Sequence, residues 1–206
     1  MAIKKVGVIG AGQMGSGIAH VVALAGYDVL LTDLTKEAVD KAIETIGRNM
    51  DRQIARGIIT VADKQAALQR ISYAPDYDAF ADCDLVIEAA TEDESVKRKI
   101  FTELSPKVKP DAIVASNTSS ISITRLASIT KRPERFIGMH FMNPVPVMQL
   151  VELIRGIATE DDTFATAREF VESLGKTIAV AEDFPAFIVN RILLPMINEA
   201  VYTLYE

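Results

Sequence analysis

An apolar, β-branched run from Ile3 to Ile9, interrupted only by Lys4-Lys5, ends in G-x-G-x-x-G at Gly10, Gly12 and Gly15. Its length and composition are those of a buried strand. Beyond the glycines, apolar residues recur at helical spacing through Met14, Ile18, Val22 and Ala25, so the glycines occupy a strand-to-helix turn. Gly10 permits the tight turn. Gly12, lacking a Cβ, lets a pyrophosphate approach the backbone, and Gly15 lets the helix pack close to the strand. The unpaired N–H groups at the helix start face such phosphates, and the helix dipole favours their charge. Gln13 and Met14 lie inside the same turn and join Gly10, Gly12 and Gly15 as candidate cofactor-binding residues.

A second apolar stretch, Tyr27 to Thr32, ends in Asp33, eighteen residues after Gly15. A carboxylate there accepts hydrogen bonds from the adenosine ribose hydroxyls of a dinucleotide. It also repels a 2′-phosphate, and Leu34 and Thr35 supply no arginine to clamp one, so NAD is expected over NADP. A glycine turn in some other α/β protein is the competing reading, and the placed carboxylate argues against it.

The remaining strands and helices alternate. Helices are expected over 36–56 (capped by Thr35 and ended at Gly57), 62–70, 95–104 and 159–173, and strands over 71–73, 84–90, 111–116, 135–140, 147–153 and 176–181. The alternation predicts an α/β fold with a doubly wound, mostly parallel sheet. Ligands in such sheets bind outside the carboxyl ends of the strands. Glu92 lies just beyond one such end, and Asn117-Thr118-Ser119-Ser120 follows another, although turn and cap chemistry alone would explain the latter. Arg52 and Arg56 are four apart on the long helix, and on spacing alone they read as a solvated face. A last helix, 186–205, is apolar on most sides and needs something to cover it.

His140 ends a strand on the ligand-binding edge, and Glu152 lies twelve residues on, in the next strand, beyond the rigid Asn143-Pro144-Val145-Pro146 loop. A turn through that loop brings the two side by side. A carboxylate on one imidazole nitrogen fixes the tautomer and raises basicity, leaving the other nitrogen to exchange a proton. Beside a nicotinamide, that pair is the equipment for interconverting an alcohol and a ketone. A structural histidine at a strand end is the alternative. His20, in the first helix and off its apolar stripe, is expected at the surface.

Composition narrows the function further. The 206 residues are 49% hydrophobic, enough for a sizeable core, and carry a net charge of −6 without any basic block, which argues against nucleic acid. No apolar run reaches membrane-spanning length, and the start, Met1-Ala2-Ile3-Lys4-Lys5, has no signal-peptide pattern. One cysteine, Cys83, excludes an internal disulfide and suits a reducing cytoplasm; it reads as a small structural residue. The two histidines are far apart and no Cys/His cluster exists, so no metal site is expected.

GVIGAGQMGSGIAH, DLVIEAATE, ASNTSSISIT, GMHFMNPVPVMQLVE and FPAFIVNRILLPMINEA together resemble the short-chain L-3-hydroxyacyl-CoA dehydrogenases, and among these the bacterial 3-hydroxybutyryl-CoA dehydrogenases. The resemblance implies a Rossmann-type NAD-binding domain over 1–183, with 184–206 beginning a helical carboxyl-terminal domain that forms the homodimer and closes the cleft. The rest of that domain is expected to be absent, which puts dimerisation and turnover of this chain in doubt while NAD binding survives. The resemblance makes His140 the general acid/base and Glu152 its orienting partner. Ser119 would bond the substrate's 3-oxygen and Asn190 would help hold the acyl group. Glu92, Lys97, Asn117 and Asn143 would line the nicotinamide half of the cofactor, and Arg52 and Arg56 become candidates for the phosphates of coenzyme A. The implied reaction interconverts acetoacetyl-CoA and (S)-3-hydroxybutyryl-CoA. A non-catalytic NAD-binding module, and a related dehydrogenase of free hydroxy acids or sugar acids, are the competing functions. One departure stands out: the family has Pro-Gly-Phe where this chain reads Pro185-Ala186-Phe187, so a left-handed residue there would be strained.

Overall fold

The computed structural model describes residues 3–206; Met1 and Ala2, which open the start read above as leaderless, lie outside them. The β-branched run forms β1 (Lys5–Ile9), and after the glycine turn the chain enters α1 (Gln13–Leu24). Then come β2 (Asp28–Thr32), the long amphipathic α2 (Lys36–Ala55), α3 (Val61–Gln69) and β3 (Ile71–Tyr73). The Thr35 hydroxyl caps α2 by accepting from the Ala38 N–H, and Gly57 closes it at φ 69°. The second half holds β4 (Leu85–Glu88), α4 (Glu94–Leu104), β5 (Ile113–Ser116), α5 (Ile123–Ala127), β6 (Phe136–Phe141), β7 (Leu150–Arg155), α6 (Asp161–Ser173), β8 (Thr177–Glu182) and α7 (Val189–Tyr205).

The eight strands form one sheet in the order β3-β2-β1-β4-β5-β6-β7-β8, parallel throughout except where β7 runs against β6. Helices cover both faces. Ile18 and Val22 of α1, Val39 and Ile46 of α2, and Phe170 of α6 pack on one. Phe101 of α4 and Leu126 of α5 pack on the other. The expected doubly wound sheet is what forms. Cys83 is fully buried, and burial pushes its thiol up to about 11, an inert structural residue. Among the described residues no helix is long and apolar enough to cross a membrane, and no three of His, Cys, Asp and Glu are grouped to hold a metal ion.

Three expectations need correction. The strand expected from Val147 begins at Leu150, because Val147 and Met148 both donate their N–H groups to the Pro144 carbonyl and prolong the loop. The last helix begins at Val189 rather than Ala186, because Ala186 and Phe187 take positive φ, 68° and 51°. His20 is fully buried rather than at the surface: α2 covers the flank of α1 that does not face the sheet, and His20 Nε2 lies 2.9 Å from Gln53 Oε1.

Candidate functional site

The chain winds from β1 outward through β2 and β3, then crosses back to lay β4 on the other side of β1. The crevice where the two windings diverge is where open α/β sheets bind ligands, and the glycine turn stands at its mouth. Gly10 adopts φ 101°, and a Cβ there would meet the Ala89 carbonyl oxygen at 2.6 Å. Gly12 is different: a Cβ there would meet nothing within 4 Å. It faces open space at the start of a helix whose first N–H groups no side chain caps. That cradle fits a diphosphate.

Asp33 is held in place by the turn itself. Its Oδ2 accepts the Ala11 N–H at 2.6 Å and its Oδ1 the Leu34 N–H at 2.7 Å. A cavity of about 730 Å³ opens beside it, lined by Gly10, Gly12, Met14, Asp33, Tyr77 and Ala90 among others. A second cavity, of about 510 Å³, lies across the turn, with Gln13, Asn143 and Pro146 facing Lys41, Thr45 and Asn49 of α2.

At the carboxyl ends of β4 and β5 a polar cluster runs inward from Ser119. Glu92 Oε1 accepts from the Thr118 hydroxyl (2.7 Å), the Ser119 N–H (2.8 Å) and the Ser119 hydroxyl (3.0 Å). Burial alone would raise its pKa, but these bonds and the Lys97 charge outweigh that and hold the carboxyl below its ordinary value. Lys97 is 1% exposed, with its ammonium 2.7 Å from Glu88 Oε1 and 3.6 Å from Glu92 Oε2. Glu88 Oε2 takes the Ser116 hydroxyl. Lys97 therefore braces Glu92 from inside the protein and lines neither cavity. Glu88, which sequence reasoning passed over, was signalled by one charge ending an otherwise apolar strand.

His140 and Glu152 are direct partners in the antiparallel β6–β7 ladder, and His140 Nδ1 lies 2.6 Å from Glu152 Oε2. The other carboxylate oxygen accepts the N–H groups of Ile188 and Val189, at 2.9 and 2.8 Å. Burial pushes the Glu152 pKa up, but the bond from His140 and the two backbone N–H groups win, and it lies below the ordinary carboxylate value. An ionised Glu152 holds hydrogen on Nδ1, and Nε2 makes no bond among the described residues. Phe187 closes over the imidazole, ring centroids 6.2 Å apart. Nothing in its apolar segment marked Phe187 in advance.

Of the remaining candidates, Asn117 and Asn190 lie near this pair, and Arg52 and Arg56 do not. Asn117 Oδ1 accepts the Phe141 N–H at 2.8 Å, tying the ends of β5 and β6 together beside His140. Asn190 donates to the Ser119 carbonyl at 3.2 Å, so the first turn of α7 reaches the Ser119 loop. Arg52 and Arg56 are exposed and line neither cavity, but they continue the helix face on which Lys41, Thr45 and Asn49 stand. α7 itself buries no residue: Ile192, Leu194, Met196 and Val201 are each more than half exposed.

Residues 5–184 match the family model described as 3-hydroxyacyl-CoA dehydrogenase, NAD binding domain. The chain is 67% identical to a 3-hydroxybutyryl-CoA dehydrogenase of Bradyrhizobium diazoefficiens over 99% of its length and 70% of that protein's. It is 50% identical to a probable 3-hydroxybutyryl-CoA dehydrogenase of Deinococcus radiodurans, over 98% of this chain and 72% of that one. The crystal structure of (S)-3-hydroxybutyryl-CoA dehydrogenase PaaH1 from Ralstonia eutropha superposes with a TM-score of 0.94 at 50% identity, covering 97% of this chain and 70% of that one.

Proposed function

The chain belongs to the 3-hydroxyacyl-CoA dehydrogenase family, an NAD-dependent oxidoreductase by that membership, and we propose that it interconverts acetoacetyl-CoA and (S)-3-hydroxybutyryl-CoA. The observation that carries the reading is the His140 Nδ1–Glu152 Oε2 bond of 2.6 Å, which leaves Nε2 free at the sheet edge where the glycine turn and Asp33 stand. NAD, when bound, supplies or accepts the hydride at the substrate's C3. In reduction, His140 Nε2 delivers a proton to the 3-oxygen as hydride reaches C3; in oxidation it removes the hydroxyl proton. Glu152 stabilises the imidazolium whenever His140 carries both protons, and keeps the ring turned so that Nε2 points outward. Ser119, ordered by Glu92, hydrogen-bonds the 3-oxygen, and Asn190 helps to hold the acyl group. Gly10, Gly12, Gln13, Met14 and Gly15 take the diphosphate and Asp33 the adenosine ribose, with Glu92, Asn117 and Asn143 on the nicotinamide side and Lys97 behind them.

The face of α2 from Lys41 to Arg56 serves the coenzyme A phosphates. The uncovered apolar side of α7 serves as the first helix of a dimer-forming helical domain, with the Rossmann-type domain ending near residue 183. The test is NADH oxidation with acetoacetyl-CoA. Turnover is expected, and its absence with NADH bound would favour the non-catalytic reading. Reversing charge at both Arg52 and Arg56 should raise KM for the thioester about tenfold with NADH affinity unchanged, since two surface phosphate contacts are worth roughly 1 kcal/mol or somewhat more. An unchanged KM would return the substrate to a free hydroxy acid.

A further inference from the structure

Lys176 stands one residue before β8 and belongs to none of the groups described so far. Its ammonium donates to two backbone carbonyls of the loop between β6 and β7, Val145 O at 2.7 Å and Met148 O at 2.7 Å. Among the described residues its hydrogen-bond partners are these carbonyls and no carboxylate, and its partial burial lowers its pKa. A lysine that accepts desolvation to bind carbonyls alone is fixing the backbone it touches.

That backbone is one wall of the 510 Å³ cavity: Asn143 to Pro146 face Lys41, Thr45 and Asn49 of α2 across it. The loop is gripped on two sides. Val145 is buried against α1, so tightly that a Cβ on Gly17 would meet the Val145 Cβ at 2.9 Å. Lys176 holds its carbonyls. The loop's internal bonds, Val147 and Met148 N–H to the Pro144 carbonyl at 2.9 Å, tighten its curl but tie it to nothing else. With Lys176 removed, the wall keeps its packing on α1 through Val145 and Pro146 and the Thr177 N–H bond to the Gln149 carbonyl, but loses the two bonds that hold its carbonyls at Val145 and Met148.

We propose that Lys176 is a positioning residue for the thioester: by holding the carbonyls of Val145 and Met148 it sets the width of the cavity in which the coenzyme A portion is seated. This rests on the function proposed above. Lys176 touches neither substrate nor cofactor, so its loss should act on KM rather than on the chemical step.

The experiment compares wild type with K176M and K176R, measuring kcat and KM for acetoacetyl-CoA, NADH affinity, and amide hydrogen exchange over residues 143–148. K176M should exchange those amides faster and raise KM about tenfold, the size expected for bonds to a charged donor, with kcat and NADH affinity held within about threefold. K176R, which can still donate to both carbonyls, should recover most of the wild-type KM. A folded K176M with wild-type KM overturns the proposal, as does a loss shared equally by kcat, KM and NADH affinity. If K176M does not fold, V145A loosens the same wall from the α1 side and must show the same split; a wild-type KM in V145A overturns it too. A wild-type protein inert toward acetoacetyl-CoA brings down the function reading instead, whereas an active wild type with an unaffected K176M brings down this inference alone.

Discussion

Gly15 sits so close beneath the carbonyl of Gly10 that a Cβ added at Gly15 would overlap the Gly10 oxygen. The first and third glycines of the turn are thus locked together by backbone contact. Gly12, between them, faces open space.

The two kinds of glycine should fail differently. Gly15→Ala should prevent folding or cost more than about 4 kcal/mol, because the clash is with backbone that cannot rotate away. Gly12→Ala should leave the melting temperature within about 2 °C of wild type, since its φ of −69° suits alanine. Its methyl would stand where a diphosphate must come, so NADH affinity should fall at least about tenfold. Calorimetry and NADH titration of both variants check this. A Gly12→Ala protein that binds NADH normally would remove the diphosphate from that face.

Glu152 joins the imidazole to the lead-in of α7, so its neutralisation should be felt twice. His140→Gln should lower kcat by roughly 10²–10⁴ with NADH affinity intact. Glu152→Gln should lower kcat less, and also destabilise the fold, since Ile188 and Val189 donate to the same carboxylate. The sign of its pH dependence follows from its lowered pKa. An acid whose folded value is depressed stabilises the protein above its unfolded value, and that contribution is lost as pH falls through the folded one. The share of stability that Glu152 contributes should therefore be lost below about pH 4.5, the ordinary glutamate value, and Glu152→Gln should flatten the unfolding limb there. A limb unchanged in Glu152→Gln would assign it to other carboxylates.

How much of this was legible in the sequence divides by physical range. The glycine turn, Asp33 and the alternation of elements are local patterns and formed as expected, apart from the starts of β7 and α7, which the loop after Pro144 and the positive-φ pair Ala186-Phe187 moved on to Leu150 and Val189. The pairing of His140 with Glu152 was legible too, because a short proline loop leaves an antiparallel partner little freedom. Contacts set by packing across helices were not. His20 lies off the stripe of α1 that meets the sheet, and only the arrival of α2 buries it. Lys97 carries a charge on an exposed-looking helix start, and only Glu88, nine residues back on β4, explains its burial. Lys176 could not be linked to the loop 28 residues before it until the sheet brought them together.

His20 supplies a pH prediction of its own. Burial lowers its pKa below the ordinary 6.5, the bond to Gln53 pulls it back up, and the nearby Lys176 charge lowers it again. Its Nδ1 is buried with no partner, so the neutral ring is the form the site accepts. Between the folded and unfolded values the unfolded chain binds the extra proton, so stability is full above about pH 6.5 and declines as pH falls below it. The melting temperature should drop on acidification from pH 7 toward pH 5, values that bracket the usual histidine range, well before Glu152 titrates. His20→Gln, which cannot be protonated, should remove most of that slope; a slope that persists would place it on another group.

The last prediction concerns Ala186. Its φ of 68° lies in the left-handed region, and Phe187 follows it there at 51°, immediately before the two N–H groups that Glu152 holds. An L-residue with a Cβ pays on the order of 1 kcal/mol or more for that conformation, which glycine adopts freely. Ala186→Gly relieves the strain but also loosens the unfolded chain, an opposing term of roughly 0.4–1 kcal/mol. Strain is the larger of the two wherever φ is this far positive. Ala186→Gly should therefore raise the melting temperature by about 1–4 °C, the shift expected for up to 1 kcal/mol in a domain of this size. Because the relieved bond lies between β8 and α7, kcat of a turning-over enzyme should stay within about twofold, His140 being held by Glu152 rather than by Ala186. A melting temperature that falls instead would mean that the surrounding contacts of Phe187, packed on the His140 ring, require the alanine methyl.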